Sequence, residues 1–302
     1  MFEEFKRAFQ RYNNAHVQLI IINIVAFIVM AVLGVVCSLT GLESVFAVIH
    51  KQFAIPASLS EFLMRPWTMI TYAFMHDLND LLHILFNMLA LFWFGRLFVE
   101  YLGSDKLIAV YVLGALGGAV LYLLAYNTIP YFQQQTQTAS IQMVGASAAI
   151  NAIVVAAATL LPDYTFFLLF FGPVKIKYIA AITVFLSFLG TTGINAGGNI
   201  AHLGGAFMGF VYLKQLQAGV NWGGWITTLI DWFRNLFKPR PRVKVTYRNE
   251  DFKNSGKKSG KTKSPSISQD EIDAILDKIS AGGYESLTQE EKEKLFNASK
   301  KQ

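Results

Sequence analysis

Four polar side chains, His83, Asn87, Ser147 and His202, stand in stretches otherwise apolar enough for a lipid bilayer. Polar groups are costly in hydrocarbon, so each marks a candidate functional position. His83 and Asn87 are four residues apart and share one face of any helix that carries them. Ser147 lies in Gly145-Ala146-Ser147-Ala148, and His202 in Asn199-Ile200-Ala201-His202-Leu203-Gly204-Gly205. The chemistry that these types support is nucleophilic: serine needs a nearby base, and a neutral imidazole supplies one near neutral pH. Each residue also has a plainer use. A lone serine in a membrane helix back-bonds to a carbonyl, and a lone histidine packs or satisfies a neighbour. Only their convergence argues for a site.

The elements that bring about this convergence follow from composition. The chain has 302 residues, of which 53% are hydrophobic and 15% charged, with a mean hydropathy of +0.39. Soluble domains carry about 25% charged residues, so an ordinary soluble enzyme is excluded, as are a disordered chain and, with one cysteine, a disulfide scaffold. Cys37 reads as a small apolar packing residue. The net charge of +6 is concentrated: residues 238–263 hold ten Lys or Arg, and residues 107–162 hold no charged side chain. A basic segment after a membrane helix signals orientation and lipid headgroups, so no nucleic-acid partner is expected.

The expected class is an all-α polytopic membrane protein with six crossings. The apolar runs are 17–39, 81–98, 107–126, 144–162, 176–191 and 200–216, near or somewhat below the ~20 residues that span a bilayer. Val17–Leu39 is too long for a signal-peptide core and has no small-x-small cleavage site. Segment 40–66 reads as a structured interfacial loop, 127–142 as a polar loop, and 164–171 as an interfacial hairpin. The expected organisation is a cytosolic N-terminus (1–16), a membrane domain (17–216), an amphipathic interfacial helix (217–240), a flexible basic linker (241–266) and a small helical cytosolic tail (267–302).

The positive-inside rule places both termini, the 96–106 turn and the Lys175/Lys177 loop on the cytoplasmic side. The uncharged 127–143 and 192–199 loops then face outward and are candidate water gates. Spans two, four and six run from outside to inside, with His83, Asn87, Ser147 and His202 within their first turns. All four therefore fall near one depth in the outer leaflet. No acidic residue of spans two to six lies near that depth, so the arrangement is a dyad. There is no HExxH and no intramembrane Asp pair, and no metal or cofactor is expected. Ser147 opens its helix, where free backbone N–H groups and the positive dipole end favour an oxyanion, with Asn87 and His83 as further donors.

At these residues the sequence resembles the rhomboid intramembrane serine proteases. His83-xxx-Asn87, Gly145-Ala146-Ser147 and Ala201-His202-xx-Gly205 carry the likeness, with Glu100 and Gly103-Ser104-Asp105-Lys106, over about residues 60–216. The resemblance implies a six-helix core, Ser147 as nucleophile, His202 as general base, and His83, Asn87 and the Ser147 N–H as oxyanion hole. It also implies cleavage of transmembrane protein substrates near their outer ends, in a bacterial cytoplasmic membrane. The 266–302 tail is similar to that of Bacteroidetes rhomboids, and its partner is unknown.

Three departures stand out. Arg65 precedes Trp67-Thr68 where the family has Trp-Arg, Ala148 replaces a common Gly, and Asn151 stands where relatives carry an aromatic against the catalytic His. Asn151 is expected to hydrogen-bond His202 and fix its tautomer. His76 is expected to lend a supporting hydrogen bond, and His16 and His50 to be interfacial bystanders. The alternative function is a non-catalytic rhomboid-like protein that binds membrane helices.

Overall fold

The computed structural model describes residues 13–138, 140–168, 171–237 and 269–299. The chain divides into two units, Met1–Lys238 and Pro239–Gln302. The first is almost wholly helical. Its long helices are α1 (Ala15–Leu39), α5 (Leu81–Leu102), α6 (Ser104–Thr128), α8 (Ser147–Leu160), α9 (Ile176–Leu189) and α10 (Ala196–Gln217), followed by α11 (Gly224–Phe237). By length and apolarity α1, α5 and α6 are long enough to cross a membrane. The 14-residue α8 and α9 are apolar but shorter than the ~20 residues of a full crossing. Val25, Val29, Val32 and Val36 of α1 are exposed, as lipid-facing side chains would be.

The core is a seam of small residues joining α6, α8 and α10. A Cβ at Gly205 would overlap the Ala148 carbonyl oxygen, and one at Gly209 the Ala152 carbonyl, so α8 and α10 run parallel with backbones in contact. On the other flank Gly118 faces Ala148 and Gly114 faces Ala152, a descending register that makes α6 antiparallel to α8. Lipid is as apolar as a side chain, so close van der Waals packing holds membrane helices together, and small residues permit it. The same neighbours explain why Ala148 fits: it is faced by Gly118 and Gly205.

The turn between α5 and α6 is made by Gly103 at φ +83°, and Ser104 anchors it. Ser104 N–H donates to Asn13 Oδ1 at 2.8 Å, and Ala15 N–H donates to Ser104 Oγ at 3.1 Å, which ties the start of α1 to this turn. His16 is buried where α1 meets α5, near the Phe92 ring and Gly95, so it is a packing residue and not an interfacial one.

Segment 40–66 contains α2 (Glu43–Lys51), β1 (Ile55–Pro56) and α3 (Leu59–Met64), followed by α4 (Thr68–Thr71) and a 3-10 turn, Tyr72–Phe74. Arg65 donates to the Lys51 carbonyl and pairs with Glu61, while Trp67 Nε1 donates to the Gln52 carbonyl at 2.7 Å. The displaced arginine thus clasps the same stretch of loop as the tryptophan. The expected 127–142 loop contains a helix, α7 (Pro130–Thr138). Proline suits a first helical turn, and Phe132 packs on the Tyr126 ring at 5.1 Å, side-chain contacts that a Gln-rich composition conceals. Beyond it β2 (Gln142–Met143) pairs antiparallel with β1. The hairpin at 164–171 is present and somewhat longer: β3 (Thr165–Leu168) pairs with β4 (Gly172–Lys175).

Helix α10 begins four residues before the expected Ile200, with Asn195 accepting from Gly198 N–H at 3.3 Å as its N-cap. Gly197 and Gly198 read as loop in sequence. Here Gly197 is required by close approach, since a Cβ there would lie 2.8 Å from the Tyr122 ring. Helix α11 buries Ile226 and exposes Trp225, Leu229, Trp232, Phe233 and Leu236.

In the second unit α12 (Gln269–Gly282) and α13 (Gln289–Ser299) form a small helical pair. Thr288 and Glu291 make a capping box: Thr288 N–H donates to Glu291 Oε2 at 2.8 Å, and Glu291 N–H to Thr288 Oγ1 at 3.4 Å. The expected 241–266 linker and most of the 1–16 segment lie outside the described residues.

Candidate active site

Ser147 is the first residue of α8, and three constraints place it there. β2 is held by β1, Ala57 N–H donates to the Ile141 carbonyl at 3.0 Å, and Gly145 N–H donates to the Tyr72 carbonyl at 3.0 Å. Tyr72 is fully buried, and its hydroxyl donates to the Ala115 carbonyl of α6 at 2.8 Å. Gly145 takes φ +136°, a conformation that side chains disfavour, and the His83 ring lies where its Cβ would point.

His202 sits in the second turn of α10, and its Nε2 lies 2.7 Å from Ser147 Oγ. His83, in the first turn of α5, lies with its ring beside Gly145 and lines a cavity of about 500 Å³ with Ser147. Asp80 caps α5 by accepting from His83 N–H at 3.1 Å. The cavity also touches both uncharged loops, 127–143 through Gln142 and Met143 and 192–199 through Ile194 and Asn195. Tyr131 hydroxyl donates to the Thr192 carbonyl at 3.5 Å, linking those loops. A second cavity of about 390 Å³ reaches Ser147 between α5, α8 and α9, lined by Phe86, Asn87, Phe94 and Thr183.

Ser147, His202, His83 and Asn87 are therefore brought to one place from three separate helices. A rhomboid domain model matches residues 64–217, about half the chain, and the residues at this site fall within it. The chain belongs to the rhomboid family. This rhomboid is a membrane protein. It is 32% identical over 199 residues to RHOMBOID-like protein 12, mitochondrial, of Arabidopsis thaliana, a match covering 62% of the chain and 59% of that relative. The chain thus spans about 59% of the relative's length. A family of unknown function, DUF6576, matches residues 265–301 of the rhomboid's tail.

Within the site, two expectations need correction. Asn151 does not reach His202: its Nδ2 donates to the Ser147 carbonyl four residues back at 2.9 Å, and its Oδ1 has no partner. An amide one turn along the same helix satisfies its own backbone at lower cost than it crosses to a neighbour. His202 Nδ1 instead lies 3.2 Å from Ser187 Oγ on α9. His76 makes no hydrogen bond with either ring nitrogen; it is buried and meets the His83 ring edge-on at a centroid distance of 5.4 Å. Its support for His83 is therefore steric. Asn87 donates to the His83 carbonyl at 2.8 Å, which leaves its second amide hydrogen free for the cavity it lines.

Four residues at the site are not among the sequence candidates: Tyr72, Asp77 and Asp80, which line the cavity of about 500 Å³, and Ser187, beside His202. The rule that singles out polar residues inside spans would have found Ser187. Among the described residues no group of three or more His, Cys, Asp or Glu side chains is placed to hold a metal ion.

Proposed function

We propose that this rhomboid is an intramembrane serine endopeptidase that hydrolyses peptide bonds of transmembrane protein substrates. The observation that carries the proposal is the 2.7 Å approach of His202 Nε2 to Ser147 Oγ at the N-terminal end of α8. In this reading Ser147 Oγ attacks the scissile carbonyl as its proton passes to His202 Nε2. The imidazolium returns that proton to the leaving amine, and water then deacylates the enzyme by the same route. The Ser147 N–H lies at a helix start, where N–H groups lack intrahelical partners, and it stabilises the oxyanion together with His83 and the free amide hydrogen of Asn87.

The molecule crosses the membrane six times in this reading, with α8, α9 and α10 completing the set begun by α1, α5 and α6. α8 begins below the membrane surface, beneath the β1–β2 pair, which accounts for its length. The basic turns place both termini on the cytoplasmic face of a bacterial cytoplasmic membrane, and α11 lies along the lipid surface with its exposed tryptophans. The outer loops gate water to the 500 Å³ cavity that both of them line. The apolar cavity between α5 and α9 accepts the substrate helix.

The test is reaction with a fluorophosphonate in the membrane-embedded chain. Labelling of the wild type and its absence in Ser147→Ala are expected. A folded wild type that labels no more than Ser147→Ala would mark the chain as a non-catalytic binder of membrane helices.

A further inference from the structure

We infer that Ser187 is a positioning residue that sets the tautomer of His202, an inference that rests on the protease reading above. The direction of the hydrogen bonds follows from their far end. Ser187 Oγ lies 2.8 Å from the Thr183 carbonyl oxygen, four residues back on α9. A carbonyl only accepts, so the Ser187 hydroxyl hydrogen points to it. The oxygen that remains toward His202 Nδ1, at 3.2 Å, is therefore an acceptor, and Nδ1 is the protonated nitrogen. With the proton on Nδ1, Nε2 presents its lone pair to the Ser147 hydroxyl at 2.7 Å. That is the one neutral tautomer able to act as base.

The chain of donors runs Ser147 Oγ–H to Nε2, Nδ1–H to Ser187 Oγ, and Ser187 Oγ–H to the Thr183 carbonyl. When Ser147 attacks, its O–H bond breaks and an N–H bond forms at Nε2. The Nδ1 proton stays where it is, and no proton passes to Ser187. The Nδ1–H bond gains strength because its donor becomes cationic.

Among the described residues Ser187 is the one hydrogen-bond partner of His202 Nδ1. Ser187 is one of three buried residues of α9, with Ile176 and Ala180, and the only polar one. Asn151, the residue the sequence offers for this place, donates through Nδ2 to its own helix, and its Oδ1 does not hydrogen-bond His202. His83 of α5 is the titratable group that interacts electrostatically with His202, and it lines the cavity with Ser147. Among the described residues no carboxylate hydrogen-bonds to either His202 nitrogen. A neutral hydroxyl orients the ring without contributing a full charge, so its effect is that of one hydrogen bond to a developing cation, about 10- to 100-fold in rate.

The experiment measures kinact and KI for a fluorophosphonate on the full chain in lipid vesicles, comparing wild type with Ser187→Thr and Ser187→Val. The two substitutions carry nearly the same volume and differ in the hydroxyl. Ser187→Val is expected to lose about 10- to 100-fold in kinact with KI unchanged, while Ser187→Thr stays within about threefold of wild type. A packing defect would lower both alike, so equal kinact values for Thr and Val overturn the assignment, whether both are high or both are low. Absence of Ser147-dependent labelling in the wild type is a separate outcome: it removes the protease reading and the role of Ser187 with it.

Discussion

The α6–α8–α10 seam and helix α9 hold the two sides of His202 in different ways. Along the seam Gly114, Gly118, Gly205 and Gly209 let backbones touch, and α8 buries Ala148, Ala149, Ala152, Ala156 and Ala157 almost completely. Helix α9 exposes Tyr178, Ile182, Phe185, Leu186, Phe188 and Leu189, and cavities lie on both of its flanks. Ser147 and the His202 ring that faces it ride on the closely packed seam, whereas Ser187, beside the far ring nitrogen, rides on the lightly packed flank. The difference shows how one membrane fold combines a closely packed Ser147–His202 pair with a helix that has open space beside it.

The largest effect tests the seam's chemical cargo. Ser147→Ala and His202→Ala are each expected to lower turnover on the order of 10⁵- to 10⁶-fold, read as fluorophosphonate labelling and cleavage of a membrane-embedded peptide. The next separates the two regions by stability. Gly205→Ala places a methyl group against the Ala148 carbonyl and is expected to cost about 1–3 kcal/mol in detergent unfolding. Ile182→Ala on the exposed face of α9 should stay within about 0.5 kcal/mol. Equal costs at both positions would erase the contrast between seam and flank.

Asn151→Ala gives a smaller, sharper test. It removes one hydrogen bond to the Ser147 carbonyl, costing about 0.5–1.5 kcal/mol in stability, and leaves the pH–rate profile in place, since Asn151 does not touch His202. A displaced profile would return Asn151 to the ring. The smallest effect concerns the base of α9. Asp163 pairs with Lys177 at 2.9 Å and Lys175 at 3.0 Å, and these partners hold its carboxyl down at about 2, from an ordinary 3.8. A carboxyl lowered on folding contributes above its unfolded value and loses that contribution as pH falls through the folded one. Amide exchange in β3 and β4 should therefore rise as pH drops from about 4 to 2 beyond its intrinsic pH dependence, and Asp163→Asn should abolish that excess.

Much of this molecule was legible in its residues. Apolar runs gave the long helices, and Gly103-Ser104 gave the turn between α5 and α6. The depth argument groups His83, Asn87, Ser147 and His202, and the fold brings the four to one place. What was missed shares one cause. Asn151 and Ser187 are both polar residues within apolar helices, and spacing cannot say which satisfies its own backbone and which reaches across. The helix α7 within 127–142 was hidden for a similar reason, because Phe132 finds the Tyr126 ring only in the folded chain.

By itself the sequence determined that the chain lives in a membrane, which segments are basic, and which polar types stand within its apolar runs, because the cost of charge in hydrocarbon acts on every residue independently. Tertiary structure alone decided which atom faces which. Hydrogen-bond direction at His202 depends on α9 lying beside α10 and on the Thr183 carbonyl beyond it, and a single side-chain hydrogen bond between separate helices leaves no periodic trace along the chain.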